Sequence, residues 1–210
     1  MQSVRKALYA GCVIALRRQA LYAGCVVAVV FLASCSTPYS MYSRNVFEGK
    51  RLYQYKEYAQ ARQAFLSAYE AEKNVTALAW AATTSYWLND LASAETYIRE
   101  AEPKARKSVS YFRVTGYKAL VLLKQGKKDE GLQTLREYVH AYGRSYPSSN
   151  LPWIDLMIKK GDVDIVKLQA VLEEDIYAYE EAIGEFESTR TGYYDRNSGA
   201  GSGGGGSVSP

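Results

Sequence analysis

From Phe47 to Glu72 the chain reads FEGKRLYQYKEYAQARQAFLSAYEAE, with alanine and strong helix formers throughout and no proline. Leu52, Ala61, Phe65 and Ala68 recur at helical spacing with polar residues between them, which predicts helices. The pattern then repeats. Ala61, Phe65 and Ala68 are echoed by Ala94, Ile98 and Ala101, thirty-three residues on. Gly131, Leu135 and Tyr138 follow after a further thirty-seven. Upstream of the triplets lie Lys56-Glu57-Tyr58, Asn89-Asp90-Leu91 and Gly126-Lys127-Lys128, each separating two helical runs. Gly and Asn suit the left-handed position that ends a helix. The longer second interval places extra residues in a loop at Pro103 to Ser108.

After Tyr142 the pattern breaks. Gly143 to Trp153 holds two prolines and three serines and reads as a loop. A short helix is predicted from Trp153 to Lys160, with Gly161 as its stop and Asp162 as the cap of the next. Ile165, Leu168, Leu172, Ile176, Tyr179, Ile183 and Phe186 then mark one long amphipathic helix with a narrow apolar stripe. Glu173, Glu174, Asp175, Glu180 and Glu181 read as its solvated face. From Asn197 to Pro210 the sequence is NSGAGSGGGGSVSP, without charge and almost without apolar residues. Such a tail is expected to be disordered, and it resembles an expression linker.

The repeats resemble the tetratricopeptide repeat, a helix, a tight turn and a second helix bearing a small-x₃-large-x₂-small signature. Gly49 with Leu52, Ala82 with Ser85 and Ala119 with Leu122 occupy that family's small and large positions in the first helix. The sequence departs from the family in lacking its first-helix tryptophan, and Tyr138 stands where a small residue is expected. An unrelated array of α-helical hairpins is the alternative. The resemblance implies an all-α, TPR-like α-solenoid over residues 45–143, with the loop and C-terminal helices of 144–190 serving as its cap and a tail over 191–210. An end unit with a polar outer face suits the long helix, which is too short for the sustained heptads of a coiled coil.

Ahead of the repeats, Ala20 to Ala33 is fourteen residues without a charge, preceded by Arg17-Arg18. A bilayer core of about 30 Å needs roughly 20 helical residues, so this run is too short to span and matches a signal-peptide hydrophobic region. Leu32, Ala33, Ser34 and Cys35 resemble the lipobox of bacterial lipoproteins. That resemblance implies that residues 1–34 are removed as a signal peptide and that Cys35 becomes the lipidated N-terminus. Residues 35–44, interrupted by Pro38, form the tether. Cleavage leaves Cys35 as the lone cysteine, since Cys12 and Cys25 lie in the leader, and a thioether-linked lipid explains an otherwise unpaired thiol. Ser36, in place of aspartate, implies the outer membrane, facing the periplasm, in a Gram-negative host. The leader repeats itself, with Ala7 to Val13 recurring letter for letter as Ala20 to Val26, through a small duplication or an early start codon.

Charge excludes one class of partner. The net charge is +4, but Arg5, Lys6, Arg17 and Arg18 all precede residue 35 and no acidic residue does. The body is therefore neutral and carries no footprint for nucleic acid. Catalytic signatures are sparse as well. His140 is the single histidine and falls near a helix end. There is no HExxH, CxxC or GxSxG motif. Gly126-Lys127 lacks the upstream glycine of a phosphate loop, and Asp162-x-Asp164 lacks the rest of a calcium loop. No catalytic residue, metal ligand, small-molecule substrate or cofactor is assigned, apart from the covalent lipid on Cys35.

The chain has 19 tyrosines, and tyrosine is enriched at protein interfaces. In tetratricopeptide arrays the first helices line a concave groove that takes peptides or partner helices. By register, that groove is lined here by Lys50, Tyr53, Gln54, Thr83, Tyr86, Trp87, Arg113, Leu120 and Lys124. Its aromatic and basic mixture suits a segment with some negative charge. The expected function is a membrane-anchored scaffold or adaptor, binding a protein or peptide partner during assembly of an envelope complex such as outer-membrane, pilus or secretion machinery. The alternatives are a structural lipoprotein whose groove is filled by its own last helix, and a peptidoglycan-active or other periplasmic enzyme. The last is disfavoured because no segment is left over for a catalytic domain.

Overall fold

The computed structural model describes residues 37–189, with side chains to residue 186. The leader, the lipobox of Leu32, Ala33, Ser34 and Cys35, and the Gly/Ser tail lie outside the described residues. Among those described, every regular element is an α-helix: α1 (Pro38–Gln54), α2 (Tyr58–Ala71), α3 (Val75–Trp87), α4 (Leu91–Ala105), α5 (Tyr111–Lys124), α6 (Lys128–Ser145), α7 (Leu151–Lys160) and α8 (Ile165–Thr189). None of them is long and apolar enough to cross a membrane.

The three repeat turns share one backbone geometry. Lys56, Asn89 and Gly126 adopt positive φ of 62°, 58° and 77°. In each turn the next residue's N–H reaches back five positions: Glu57 to the Leu52 carbonyl, Asp90 to Ser85 and Lys127 to Leu122, all at 2.9 Å. This is the bonding that closes a helix around a left-handed residue. The chain then re-enters helix at once, with Ala61, Ala94 and Gly131 donating to the carbonyls of Glu57, Asp90 and Lys127. Asp90 also caps α4 by accepting from the Ser93 N–H at 3.1 Å, and Asn74 caps α3 through the Thr76 N–H at 2.9 Å.

The signature triplets form the seams between helices. Ala61, Phe65, Ala68, Ala94, Ile98, Ala101, Gly131, Leu135 and Tyr138 are all buried. Small residues set the spacing. A Cβ at Gly49 would lie 2.6 Å from the Phe65 ring, and one at Gly131 would lie 2.7 Å from Leu123. From α2 to α7 each helix packs on its chain neighbours, and α3 also packs against α5. Ten successive residues of α3, Ala77 to Tyr86, are buried. A helix buried all round has neighbours on every side, and its sequence shows no polar face.

Four boundaries differ from the sequence reading. α1 begins at Pro38, inside the segment read as a tether, because proline in a first turn gives up no intrahelical hydrogen bond. α4 runs through Pro103 to Ala105, so the loop is 106–110 instead of Pro103 to Ser108. Only the bond to the Arg99 carbonyl is lost there, within the last turn. α6 extends to Ser145 and α7 starts at Leu151, which shortens the loop to 146–150. Gly161 does end α7, at φ 64°, but the cap of α8 is Asp164. Its Oδ1 accepts from the N–H groups of Val166 and Lys167 at 3.1 Å. Asp162 stands too far ahead of Ile165 for that reach.

Candidate interaction face beneath the last helix

α8 lies over the side chains expected to line the groove. Leu168, Leu172 and Ile176 are fully buried along its apolar seam. Gly116 of α5 makes room for it, since a Cβ there would stand 3.1 Å from Ile176 Cδ1. Between the seam residues, polar groups of α8 meet donors from three helices.

Glu173 Oε1 is the hub. It accepts from the hydroxyls of Tyr53 on α1 and Tyr117 on α5, and from Trp87 Nε1 on α3 at 3.2 Å. Trp87 Nε1 also lies 2.6 Å from the Tyr53 hydroxyl and 3.2 Å from that of Tyr117. One turn earlier, Gln169 Oε1 accepts from the Tyr86 hydroxyl at 2.9 Å. Two turns later, Glu180 takes Arg113 in a fork, Nε at 2.7 Å and Nη2 at 2.8 Å. The Arg113 guanidinium carbon stands 3.5 Å from the centroid of the Trp80 ring. Rings continue the contact, with Tyr58 stacked on Trp87 at 5.3 Å and Tyr53 edge-on to Trp80 at 5.2 Å.

The electrostatics follow from this enclosure. Burial pushes the hydroxyls of Tyr53 and Tyr117 well above the usual tyrosine range, and Glu173 beside them adds to it, so they stay protonated as donors. Burial likewise raises Tyr86, with Glu173 adding to it. For Arg113 burial is the largest influence and opposes the charge, but the ion pair and hydrogen bonds to Glu180, with Tyr117 and Tyr53, together hold the guanidinium above its ordinary range. Burial lowers Lys50 and Lys124.

Further along, Tyr142 donates to the Asp175 carbonyl at 2.6 Å, and Asp175 Oδ1 accepts from Ser148 at 2.7 Å and Asn150 at 2.9 Å. These bonds pin the 146–150 loop to α8.

Of the nine residues assigned to the groove, Tyr53, Tyr86, Trp87 and Arg113 come together, and all four bond to α8. Thr83 and Leu120 are fully buried. Lys50 and Gln54 line an opening of about 310 Å³ at the α1 edge, with Tyr53, Trp80, Tyr177, Glu180 and Glu181. Lys124 lies over the Tyr86 ring at 4.1 Å. His140 is exposed on α6, and no cluster of metal-ligating residues occurs among the described residues.

Comparison with known protein families, curated proteins and solved structures gave no match. The function is accordingly read from the face itself.

The sequence reading missed the inward role of Glu173, Asp175 and Glu180, which it assigned to a solvated face. Only Glu174 and Glu181 of that stretch are exposed. A signal was present: Glu173 and Glu180 are seven residues apart and flank the apolar Leu172 and Ile176, so they border the buried stripe. The missing knowledge was that cations and tyrosine hydroxyls wait opposite them.

Proposed function

We propose that the protein is a lipid-anchored scaffold of the cell envelope, acting as a protein-binding adaptor through a TPR-like helical array. It catalyses no reaction in this reading and takes no cofactor beyond the lipid on Cys35. The lipobox supports the anchor, since several acyl chains at about 0.8 kcal/mol per buried methylene hold a chain on a membrane where one would not. The observation that carries the binding reading is the chemistry of the face under α8. Tyr53, Tyr86, Trp87, Tyr117 and Arg113, from three different helices, all present donors to one helix. The enclosed carboxylates are engaged by these donors, an arrangement suited to holding a segment in register.

A structural lipoprotein with a self-filled groove is the second reading, favoured by the seating of α8 itself. Two experiments test the proposal. Labelled palmitate enters the wild type and not Cys35→Ala; equal labelling refutes the anchor. A photocrosslinking amino acid at Tyr177, which is 57% exposed beside the opening, traps a discrete partner in native cells, whereas one at exposed Arg136 does not. Blank lanes at both positions favour the purely structural reading.

A further inference from the structure

The face beneath α8 is one-sided in its chemistry. In the bonds described above, Tyr53, Tyr86, Trp87, Tyr117 and Arg113 of α1, α3 and α5 all act as donors to α8, and Arg113 is a buried cation. Its occupant therefore has to bring acceptors in a fixed pattern. α8 does so with Gln169, Glu173 and Glu180, at relative positions 0, 4 and 11, and fills the space between them with Leu172 and Ile176. A helix needed only as a lid would be held by the apolar seam. Burying an arginine–carboxylate pair adds little net stability over apolar packing, but it discriminates strongly between sequences and registers.

α8 also satisfies this face incompletely. The Trp80 indole, on a side chain only 6% exposed, donates to no acceptor. Trp80 lines both openings beside α8, the one at the α1 edge and a second of about 300 Å³ bounded by Tyr53, Arg113, Glu173, Glu174 and Tyr177. Lys50 stands over the same indole, 5.4 Å from its centroid, and its charge is felt by Glu180, which is already forked to Arg113; it forms no ion pair of its own among the described residues. Unfilled space lined by Trp80, whose buried N–H is unanswered, and an ammonium group that shares Glu180 with Arg113 lie along one flank of the seated helix.

From this we propose that the face is a receptor for an amphipathic helix of a partner protein, carrying glutamates seven residues apart, and that α8 is its built-in competitor. The proposal deepens the adaptor reading by naming the class of partner. A partner helix reproduces the bonds of α8 and adds an acceptor for Trp80 and a carboxylate for Lys50. Its obstacle is the tether, because an intramolecular helix competes at an effective concentration on the order of millimolar. The array is thus closed when alone and opens to a partner that is better matched or concentrated at the membrane.

The test uses the full chain and a fluorescent peptide with the sequence of residues 165–189. In the host variant Glu173→Gln/Glu180→Gln, α8 loses both carboxylates but keeps its shape. This host binds the peptide at least tenfold more tightly than the wild-type chain does. It also binds the peptide at least tenfold more tightly than a control peptide bearing Glu173→Lys and Glu180→Lys. Equal affinities in either comparison overturn the proposal. If circular dichroism shows the host unfolded, hydrogen exchange of the wild type decides. Exchange of α8 amides ahead of those in α3 and α5 supports a helix that leaves its seat, and simultaneous exchange overturns it. Because no membrane or cellular partner is present, failure here is separable from failure of the crosslinking experiment, which tests the adaptor reading itself.

Discussion

Arg113 and Glu180 form a forked ion pair across sixty-seven residues of sequence, at 2.7 and 2.8 Å, with both side chains largely withdrawn from water. Arg113 is 4% exposed and lies against Trp80, so removing Glu180 leaves a largely buried guanidinium without its carboxylate. Glu180→Ala is expected to destabilise the fold by about 3 kcal/mol, the usual cost of orphaning a buried charge. The double variant Arg113→Met/Glu180→Leu removes both charges and should recover most of that loss. Urea unfolding of the three proteins checks this; a double variant no better than Glu180→Ala contradicts it.

Glu173 answers three donors with a single oxygen. Glu173→Ala leaves Tyr53, Trp87 and Tyr117 without their shared acceptor, and the expected cost is about 2–4 kcal/mol. Glu173→Gln keeps an amide oxygen in place and should cost about 1 kcal/mol. Chemical denaturation ranks the pair, and reversal of the ranking rejects the hub. Emission from Trp87 should shift with Glu173→Ala more than with Glu173→Gln, because only the former removes the acceptor that orders the Tyr53 and Tyr117 hydroxyls around its N–H.

The repeat turns differ in how easily they hold positive φ. Gly126 does so without a Cβ, and Asn89 tolerates it, but Lys56 at φ 62° carries a steric cost. Lys56→Gly is expected to stabilise the protein by about 1 kcal/mol, whereas Gly126→Lys should destabilise it by a similar amount. Thermal melts of both variants measure this. The opposite sign for Lys56→Gly means that its side chain contributes more than its backbone conformation costs.

Asp175 is 3% exposed, and its Oδ2 has no hydrogen-bond partner. Burial pushes its carboxyl above the ordinary range, against the pull of the Ser148 and Asn150 bonds. The folded-state pKa thus exceeds the unfolded one. The associated stability is complete below the unfolded value of ~3.9 and is lost as pH rises through the folded value. Asp175→Asn keeps the Oδ1 acceptor and removes the charge. It is expected to gain about 1 kcal/mol at pH 7, with the gain vanishing towards pH 3. Unfolding midpoints across that range decide, and a gain independent of pH argues against the buried carboxylate as its source.

The local rules were legible in the sequence. Alanine-rich periodicity placed the helices, the triplets Ala61-Phe65-Ala68, Ala94-Ile98-Ala101 and Gly131-Leu135-Tyr138 placed the seams, and Asn89 and Gly126 placed the turns. These depend on neighbours a few residues away, through backbone bonding and side-chain period. The tetratricopeptide resemblance placed Tyr53, Tyr86, Trp87 and Arg113 on first helices. What covers that face was decided only by tertiary structure. Glu173 and Glu180 look like solvated carboxylates along their own helix, and nothing within a few turns of them says otherwise. They become interior groups because α8 folds back across α1, α3 and α5, where tyrosine hydroxyls, an indole and a guanidinium lie in wait. Whether a charge is solvated or buried is a property of what packs against it, and those contacts span more than fifty residues of chain.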